Sequence, residues 1–567
     1  MLLLFVSIHC RGQLWQGHVR KRLVITSAAR IISAMTPDQT TAAHDASDDA
    51  RYLALKARDA RFDGCFFTGV TSTGIYCRPV CSVRAPKREN CRFFALAAQA
   101  ESAGFRPCLR CRPELAPHSV VWSIQDASYI LAHQAARMLD EPEAWSGALG
   151  DGVPSVEKLA ARLGVSDRHV RRIFEAQFGV SPVQYLQTRR LLTAKQLLAD
   201  TQLPITQIAL ISGFASVRRF NAAFIEHYHL NPTQLRRQGA LASGHGITVR
   251  LGYRPPYDVA AMLQFFIAHP LPGVEFVDSN ARSPVLRRTL RIDAFGKIHT
   301  GWLAVTFDAE RTQLLLEVSD SLREVLPIVI RRVRATFDLD ADPKAIHSAL
   351  RASFPHGDGL RVPGALDGHE LAVRAVLGQQ VTVQAGCRQA QRLVARFGEL
   401  IATPWPELNR LFPTPAALAA ASSDDLGTLG IIRQRQAAIT GIARAVLEKK
   451  LQLHGGADVF ATVEILKALP GIGDWTAQYI AMRVLRWPDA FPAGDVALHK
   501  ALGVQGQKSP AKLAEAASLA WKPWRSYAVI RAWSGGWVDP QPAAASPRQS
   551  MPRKDATAVL IAATNTT

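Results

Sequence analysis

Six of the eight cysteines lie between positions 65 and 111 of this 567-residue chain. Three residues separate Cys77 from Cys81, and two separate Cys108 from Cys111. A disulfide framework would not leave the rest of so long a chain nearly bare, so the cluster points to metal or thiol chemistry in a reducing compartment. Two close pairs on two loops can converge as four thiolates, Cys77, Cys81, Cys108 and Cys111, the tetrahedral set that zinc prefers. No histidine or carboxylate is needed to complete it. On spacing alone, a closed structural zinc knuckle is the commoner reading. Cys65 and Cys91 sit beside Phe66, Phe67, Phe93 and Phe94 and read as small buried hydrophobes.

The charge balance restricts the partners. Lys plus Arg is 67 against 47 Asp plus Glu, a formal net charge of +20. A chain this basic is suited to a polyanion, nucleic acid first and a membrane surface second. No run reaches the ~18–20 apolar residues of a spanning helix, so no membrane partner is expected. The apolar start, Met1 to Ile8, is followed by Arg11, Arg20, Lys21 and Arg22, the reverse of a secretory signal's order. It reads as a transit peptide or as an over-extended start ahead of Met35. A cytoplasmic location is expected.

Composition shifts divide the chain. Residues 1–50 are expected to be a disordered or mis-assigned arm, and 51–117 a small Cys- and Arg-rich domain. Residues 118–240 read as helical, 247–360 as α+β and 361–540 as all-helical. The Pro/Ala/Ser/Thr-rich 541–567 reads as a disordered tail. In the α+β block, strands are expected at 247–251, 289–292, 302–305 and 314–318, with helices near 258–268 and 320–337. Asp367 followed by Glu370 reads as a capping box. The fold class expected is multidomain and mainly α, with one α+β domain.

The helical block contains a repeat. Gly164-Val-Ser166 and Arg168 are echoed by Gly213-Phe-Ala-Ser216 and Arg218, Phe174 by Phe224, and Pro182 by Pro232, at an offset of 50. Helix 166–178 places Val170, Ile173 and Phe174 on one face and leaves Arg168, Arg171 and Arg172 largely off it. Helix 216–228 does the same with Phe220 and Phe224 against Arg218, Arg219 and Asn221. A glycine turn before a basic amphipathic helix is the helix-turn-helix pattern, whose second helix enters the major groove. A single copy would read more simply as the solvated face of a bundle. The pair is similar to the AraC-type DNA-binding domain, two such units joined by a long helix, here 182–198.

Ser72-Thr-Gly-Ile-Tyr-Cys-Arg-Pro-Val-Cys81, Arg88-Glu-Asn and Gly104-Phe-Arg-Pro-Cys-Leu-Arg-Cys111 resemble the zinc domain of the Ada methylation-response proteins. The resemblance implies one reactive Zn²⁺ on Cys77, Cys81, Cys108 and Cys111. Cys77 would be the acceptor of a methyl group from a methylated DNA phosphotriester. A zinc-bound thiolate is a nucleophile at neutral pH without a separate base. Arg78, Arg84, Lys87, Arg88, Arg92, Arg106, Arg110 and Arg112 are expected to offer the surrounding surface to phosphates. The Pro-Cys-His-Arg motif of the O6-alkylguanine acceptor is absent from the sequence, so that transfer is not expected.

Leu469-Pro-Gly-Ile-Gly-Asp-Trp-Thr476 lies between helical stretches and reads as a helix-hairpin-helix. Its glycines would present backbone N–H groups to a phosphate. With Phe491-Pro-Ala-Gly-Asp495, Trp521-Lys-Pro-Trp-Arg-Ser-Tyr527, Arg254-Pro-Pro-Tyr-Asp258 and Val373-Arg-Ala-Val-Leu-Gly-Gln379, it resembles the AlkA-type 3-methyladenine DNA glycosylases over residues 247–540. The resemblance implies a TATA-binding-protein-like N-terminal domain and Asp495 as catalytic carboxylate. It places Trp475, Tyr479 and Trp533 in the base pocket, and Gly471, Gly473, Thr476 and Gln380 on DNA. It also places a monovalent cation on the carbonyls of Lys467, Leu469 and Gly471. Gln380 stands where the family commonly has a leucine wedge, and Trp475 where lyase-active relatives carry the Schiff-base lysine. An intact abasic site is therefore the expected product.

Two functions follow. The first is a monofunctional glycosylase for 3-methyladenine and 7-methylguanine, joined to a methyl-sensing transcription activator. It would act on damaged and promoter DNA as a monomer, with RNA polymerase as a further partner. The alternative is an activator whose glycosylase fold is only a DNA clamp, and a clamp would not need Asp495.

Overall fold

The computed structural model describes residues 37–117, 127–141, 155–236, 246–281 and 283–536. The expected tail 541–567 and most of the arm 1–50 lie outside them. Within the arm, Pro37–Lys56 is a helix, where the sequence reading has an irregular segment through residue 50. The segment lacks an apolar period, but proline in its first turn, several alanines and an Asp48–Arg51 pair at 2.9 Å favour a helix.

From Ala54 onward the chain forms a second unit. Its cysteine-rich part is a four-stranded sheet in the order Cys91–Phe94, Phe67–Val70, Ile75–Cys77, Arg106–Pro107. The last two strands are parallel, with Tyr76 opposite Pro107. These short strands carry no long alternation and were not legible in the sequence.

The repeat folds as two three-helix units. The first comprises Val156–Leu163, Asp167–Phe178 and the start of Pro182–Asp200; the second comprises Ile205–Ile211, Val217–Tyr228 and Pro232–Arg236. Ser166 and Ser216 cap the two recognition helices, accepting from the N–H groups of His169 and Arg219. Gly164 and Gly213 take φ values of +67° and +87° at the turns, the backbone that a side chain disfavours.

The α+β block is a five-stranded antiparallel sheet in the order Ile247–Gly252, Gln313–Val318, Lys297–Asp308, Val285–Ala294, Glu275–Asp278. All four strands expected from the sequence are present. The fifth, Glu275–Asp278, is a short edge strand bracketed by charged residues, which hides its alternation. Helices Val259–Ala268 and Leu326–Thr336 pack with the sheet. Ten α-helices follow between Gly368 and Trp533. Asp367 caps the first, accepting from Glu370 N at 3.0 Å. The reciprocal half of the expected capping box is not made, because the Glu370 carboxylate is taken by Arg288 and Arg374.

The modules share cores. Leu191, Leu197 and Phe224 of the helix-turn-helix part lie in one apolar cluster with Val249, Val305 and Leu316 of the sheet. Ile346, Leu350 and Phe354, before residue 360, pack in the core of the helical domain. Polar ties reinforce this. Arg254, fully buried, donates to the carbonyls of Asp63 and Pro117 on the cysteine-rich side and of Asp340 and Ala341 on the other. Removing it leaves four carbonyls without their donor. Arg254→Met should lower stability by about 3 kcal/mol or more in a urea titration, since several buried carbonyls would be left unsatisfied at about 1–3 kcal/mol each. A loss under about 0.5 kcal/mol, the level of an inert surface change, would show that the clasp is unimportant.

Candidate functional sites: a thiolate cluster and an aromatic cluster

The parallel register sets the thiol cluster. Cys77 ends one strand and Cys108 follows its neighbour, with Cys108 N donating to Tyr76 O at 2.9 Å. Cys81 returns through a turn in which its N–H donates to Arg78 O at 3.1 Å. All four sulfurs of Cys77, Cys81, Cys108 and Cys111 lie within 4.8 Å of one another. A zinc–sulfur tetrahedron has edges of about 3.8 Å, so small adjustments seat the ion. The donor set fits Zn²⁺. Cys81, Cys108 and Cys111 are buried, and of the four Cys77 alone is partly exposed. Arg78 N donates to Cys111 Sγ at 3.3 Å, and its guanidinium pairs with Asp63. This corrects the sequence reading of the basic surface. Arg78 is buried on Asp63, and Arg112 is held by Glu114 and Asp200, so neither is free for phosphate. Arg84, Lys87, Arg92 and Arg110 are exposed. Cys91 is buried as expected, whereas Cys65 is only partly so.

On the recognition helices Arg168, Arg172, Arg218 and Arg219 are exposed, and Arg171 and Asn221 are half-buried. Val170, Ile173, Phe174, Phe220 and Phe224 are buried, which fixes the basic faces outward.

In the helical domain Asp495 caps Val496–Ala501. Its Oδ1 accepts from Leu498 N at 2.7 Å and from Trp533 Nε1 at 3.1 Å, and its Oδ2 accepts from Trp475 Nε1 at 2.9 Å. A carboxylate offers about four lone-pair sites, so about one remains for a ligand. Trp475 stacks on Tyr479 at 5.3 Å and 16°, and Tyr479 meets Trp533 at 6.4 Å. The three aromatics read as lining a pocket are thus together, and both indoles also hold the carboxylate, a role their spacing did not reveal.

The hairpin precedes helix Asp474–Arg483. Gly471 has φ +80°, and a Cβ there would lie 2.9 Å from Gln434 O. Gly473 is exposed, with open space where a side chain would be, leaving the helix start accessible. Thr476 differs from its expected place on DNA. It is buried, its hydroxyl accepting from Gln379 Nε2 at 2.8 Å. The same amide donates to Gly471 O at 3.0 Å, one of the carbonyls expected to face a cation; Leu469 O accepts from Ile472 N at 3.2 Å. Gln380 is exposed at φ +54° beside partly exposed Val381. Gln379 and Arg435, which donates to the Gln379 carbonyl, were missed as the anchors of this turn.

Zinc loading tests the cluster. Purified protein should carry one equivalent, retained in Cys65→Ser and Cys91→Ser and lost in Cys108→Ser, by metal analysis. Loss in the first two with retention in the third would reassign the ligands.

Four family profiles match the chain: the metal-binding domain of Ada over 50–114, a helix-turn-helix domain over 159–238, the AlkA N-terminal domain over 248–367 and the HhH-GPD superfamily of base-excision DNA repair proteins over 373–526. A Mycobacterium tuberculosis protein named "Probable bifunctional transcriptional activator/DNA repair enzyme AlkA" is 36% identical over 85% of this chain and 95% of its own length. The Escherichia coli DNA-3-methyladenine glycosylase 2 is 33% identical over 51% of this chain and 97% of its own. The Escherichia coli "Bifunctional transcriptional activator/DNA repair enzyme Ada" is 33% identical over 34% of this chain and 50% of its own. With its thiolate cluster, paired recognition helices and carboxylate-bearing aromatic cluster on one chain, the protein belongs to the family of fused Ada–AlkA transcriptional activator and DNA repair proteins.

Proposed function

We propose that the protein is a monofunctional DNA glycosylase that releases alkylated purines, 3-methyladenine and 7-methylguanine, and that its N-terminal modules sense methyl damage and regulate transcription. The observation that carries the enzymatic reading is Asp495, held by three N–H donors beside three aromatic rings. A DNA clamp would use this carboxylate only as a helix cap, and would not need it tied to two indoles beside three rings. A purine flipped out of the stack meets the ring faces of Trp475, Tyr479 and Trp533. Cationic alkylpurines leave with little acid help. The sugar left behind is cationic, and Asp495 stabilises it electrostatically. Gly473 and the start of its helix take a phosphate, and Gln380 enters the gap left by the flipped base. Trp475 in the lysine position leaves the DNA strand intact.

Asp495→Asn keeps the shape and removes the charge. It should bind duplex DNA as before and lose about 10²–10³ in the rate of base release, the usual size of such an electrostatic term. Free base from methylated duplex and strand scission before alkali are measured together. Near-wild-type release by the variant, or scission before alkali, would overturn the assignment.

On the sensing side, Cys77 accepts the methyl group from a phosphotriester. The sulfur–carbon bond forms as the carbon–oxygen bond to phosphate breaks, and the electron pair stays on the phosphate. Four thiolates on Zn²⁺ carry −2; one thioether leaves −1. Less negative charge near Arg84, Lys87, Arg92 and Arg110 strengthens attraction to DNA, most at low salt. The reader module then holds promoters more tightly and recruits RNA polymerase. Incubation with phosphotriester DNA should add one methyl to the Cys77 peptide by mass and tighten DNA binding at low salt. A methyl elsewhere, or uptake with unchanged affinity, would defeat the switch.

A further inference from the structure

Helix Asp474–Arg483 carries Trp475, Tyr479 and Arg483 four residues apart, so all three share a face. Arg483 is only 7% exposed. Its Nη1 donates to Tyr479 Oη at 2.5 Å, and its guanidinium carbon lies 5.3 Å from the Tyr479 centroid and 4.6 Å from that of Phe265. Nε and Nη2 donate to the carbonyls of Pro363 at 2.8 Å and Gly364 at 3.2 Å. Among the described residues no carboxylate forms an ion pair with it. Glu275 reaches it only through space, and Glu275 is bonded to Arg288 at 2.5 Å. Burial lowers its proton affinity, yet a guanidinium stays charged at neutral pH. Every direct partner is neutral, while Glu275 attracts and Arg374 repels it only through space, so the positive charge directly behind the aromatic cluster is not paired off.

We propose that Arg483 is a specificity-determining residue acting through Tyr479: it disfavours cationic purines relative to neutral ones and draws electrons toward the departing base. The proposal rests on the glycosylase reading above. When the C1′–N bond breaks, its electron pair goes to the base. Water supplies the oxygen that joins C1′ and gives up one proton. A cationic alkylpurine leaves neutral, and that proton goes to solvent. A neutral purine leaves as an anion and takes it. In both cases the base becomes one charge more negative, which a nearby cation favours. Arg483 therefore raises kcat on both. Against the free enzyme the two cases differ. The transition state from a cationic base still bears positive charge and is opposed, whereas that from a neutral base bears negative charge and is favoured.

The experiment uses the full chain with Zn²⁺ and duplexes holding a single 7-methylguanine or a single hypoxanthine as the neutral probe. In Arg483→Met, kcat should fall on both, while the ratio of kcat/KM for 7-methylguanine over hypoxanthine should rise at least about tenfold. That is the size expected for one unit charge acting across a ring at an effective dielectric of about 20. Arg483→Lys retains the charge and should keep the ratio within about threefold, half a decade against the full decade expected of Met. The ratio is taken within one preparation, so a partly misfolded variant still reports it. A ratio unchanged or lowered in the Met variant, or shifted equally in both variants, would make Arg483 a packing residue and overturn the proposal. Failure of the glycosylase reading is distinct, since wild-type protein would then release neither base.

Discussion

The helix Pro182–Asp200 is the constraint on which the N-terminal half depends. Thr188, Lys195, Gln196 and Asp200 are buried along it, so each must find a partner inside the protein. Lys195 pairs with Glu114, Asp200 with Arg112 and Arg250, Thr188 with Glu101, and Gln196 with the Arg250 carbonyl. Glu101, Arg112 and Glu114 come from the zinc module and Arg250 from the first strand of the α+β sheet. Apolar residues on the same helix divide among three cores: Tyr185 and Leu186 against the first helix-turn-helix unit, Leu192 with the zinc module, and Leu191, Leu197 and Leu198 with the sheet. A helix with charged residues inside and three cores around it has one acceptable seat. Moving it by a turn would strand several buried charges, each costing several kcal/mol.

This arrangement places the sensor against the reader. Tyr76, next to Cys77, is fully buried and donates its hydroxyl to Glu101 at 2.9 Å. The other Glu101 oxygen accepts from Thr188 at 2.8 Å, with His227 of the second recognition helix 4.0 Å away. Burial pushes the Glu101 carboxyl up to about 7. The strand that carries Cys77 is therefore tied to the helix joining the two helix-turn-helix units by the Glu101 carboxyl group, beside the apolar contact of Tyr76 and Leu192 in one core.

Much of this was legible from residues. The fifty-residue repeat announced both units because Ser166 and Ser216 cap helices whose apolar faces follow the helical period. The paired cysteines announced the metal set because metal ligation leaves so few alternatives. Asp495 and its aromatics were legible through family resemblance, not through periodicity, since tryptophan at helical spacing packs far more often than it binds. The cores shared across the module boundaries were not legible. Residues 240–247 mark a change in composition, yet Phe224 and Val305 lie in one core across it. Composition reports the order of elements along the chain, whereas cores form between whichever apolar faces meet. The buried positions of Arg78, Arg112 and Thr476 were missed for a similar reason. Arginine and threonine near a DNA-facing motif read as surface, and only the partner, remote in sequence, shows otherwise.

The aromatic cluster keeps its charges apart. A lysine at position 475 would place a cation against Asp495 and cancel much of the carboxylate's field. Tryptophan supplies an N–H donor at the same spot and no charge, so Asp495 is oriented without being neutralised. Trp533 and Leu498 N do the same from two further directions. On the other side of Tyr479, Arg483 rests on carbonyls, a phenol and ring faces, all neutral. Direct pairing of opposite charges would have been the stable solution for both groups. Its absence leaves a negative end at Asp495 and a positive end at Arg483, with aromatic walls between them. Such a field acts on charge that shifts between those ends, and glycosidic cleavage shifts charge in that sense, leaving the sugar more positive and the base one charge more negative.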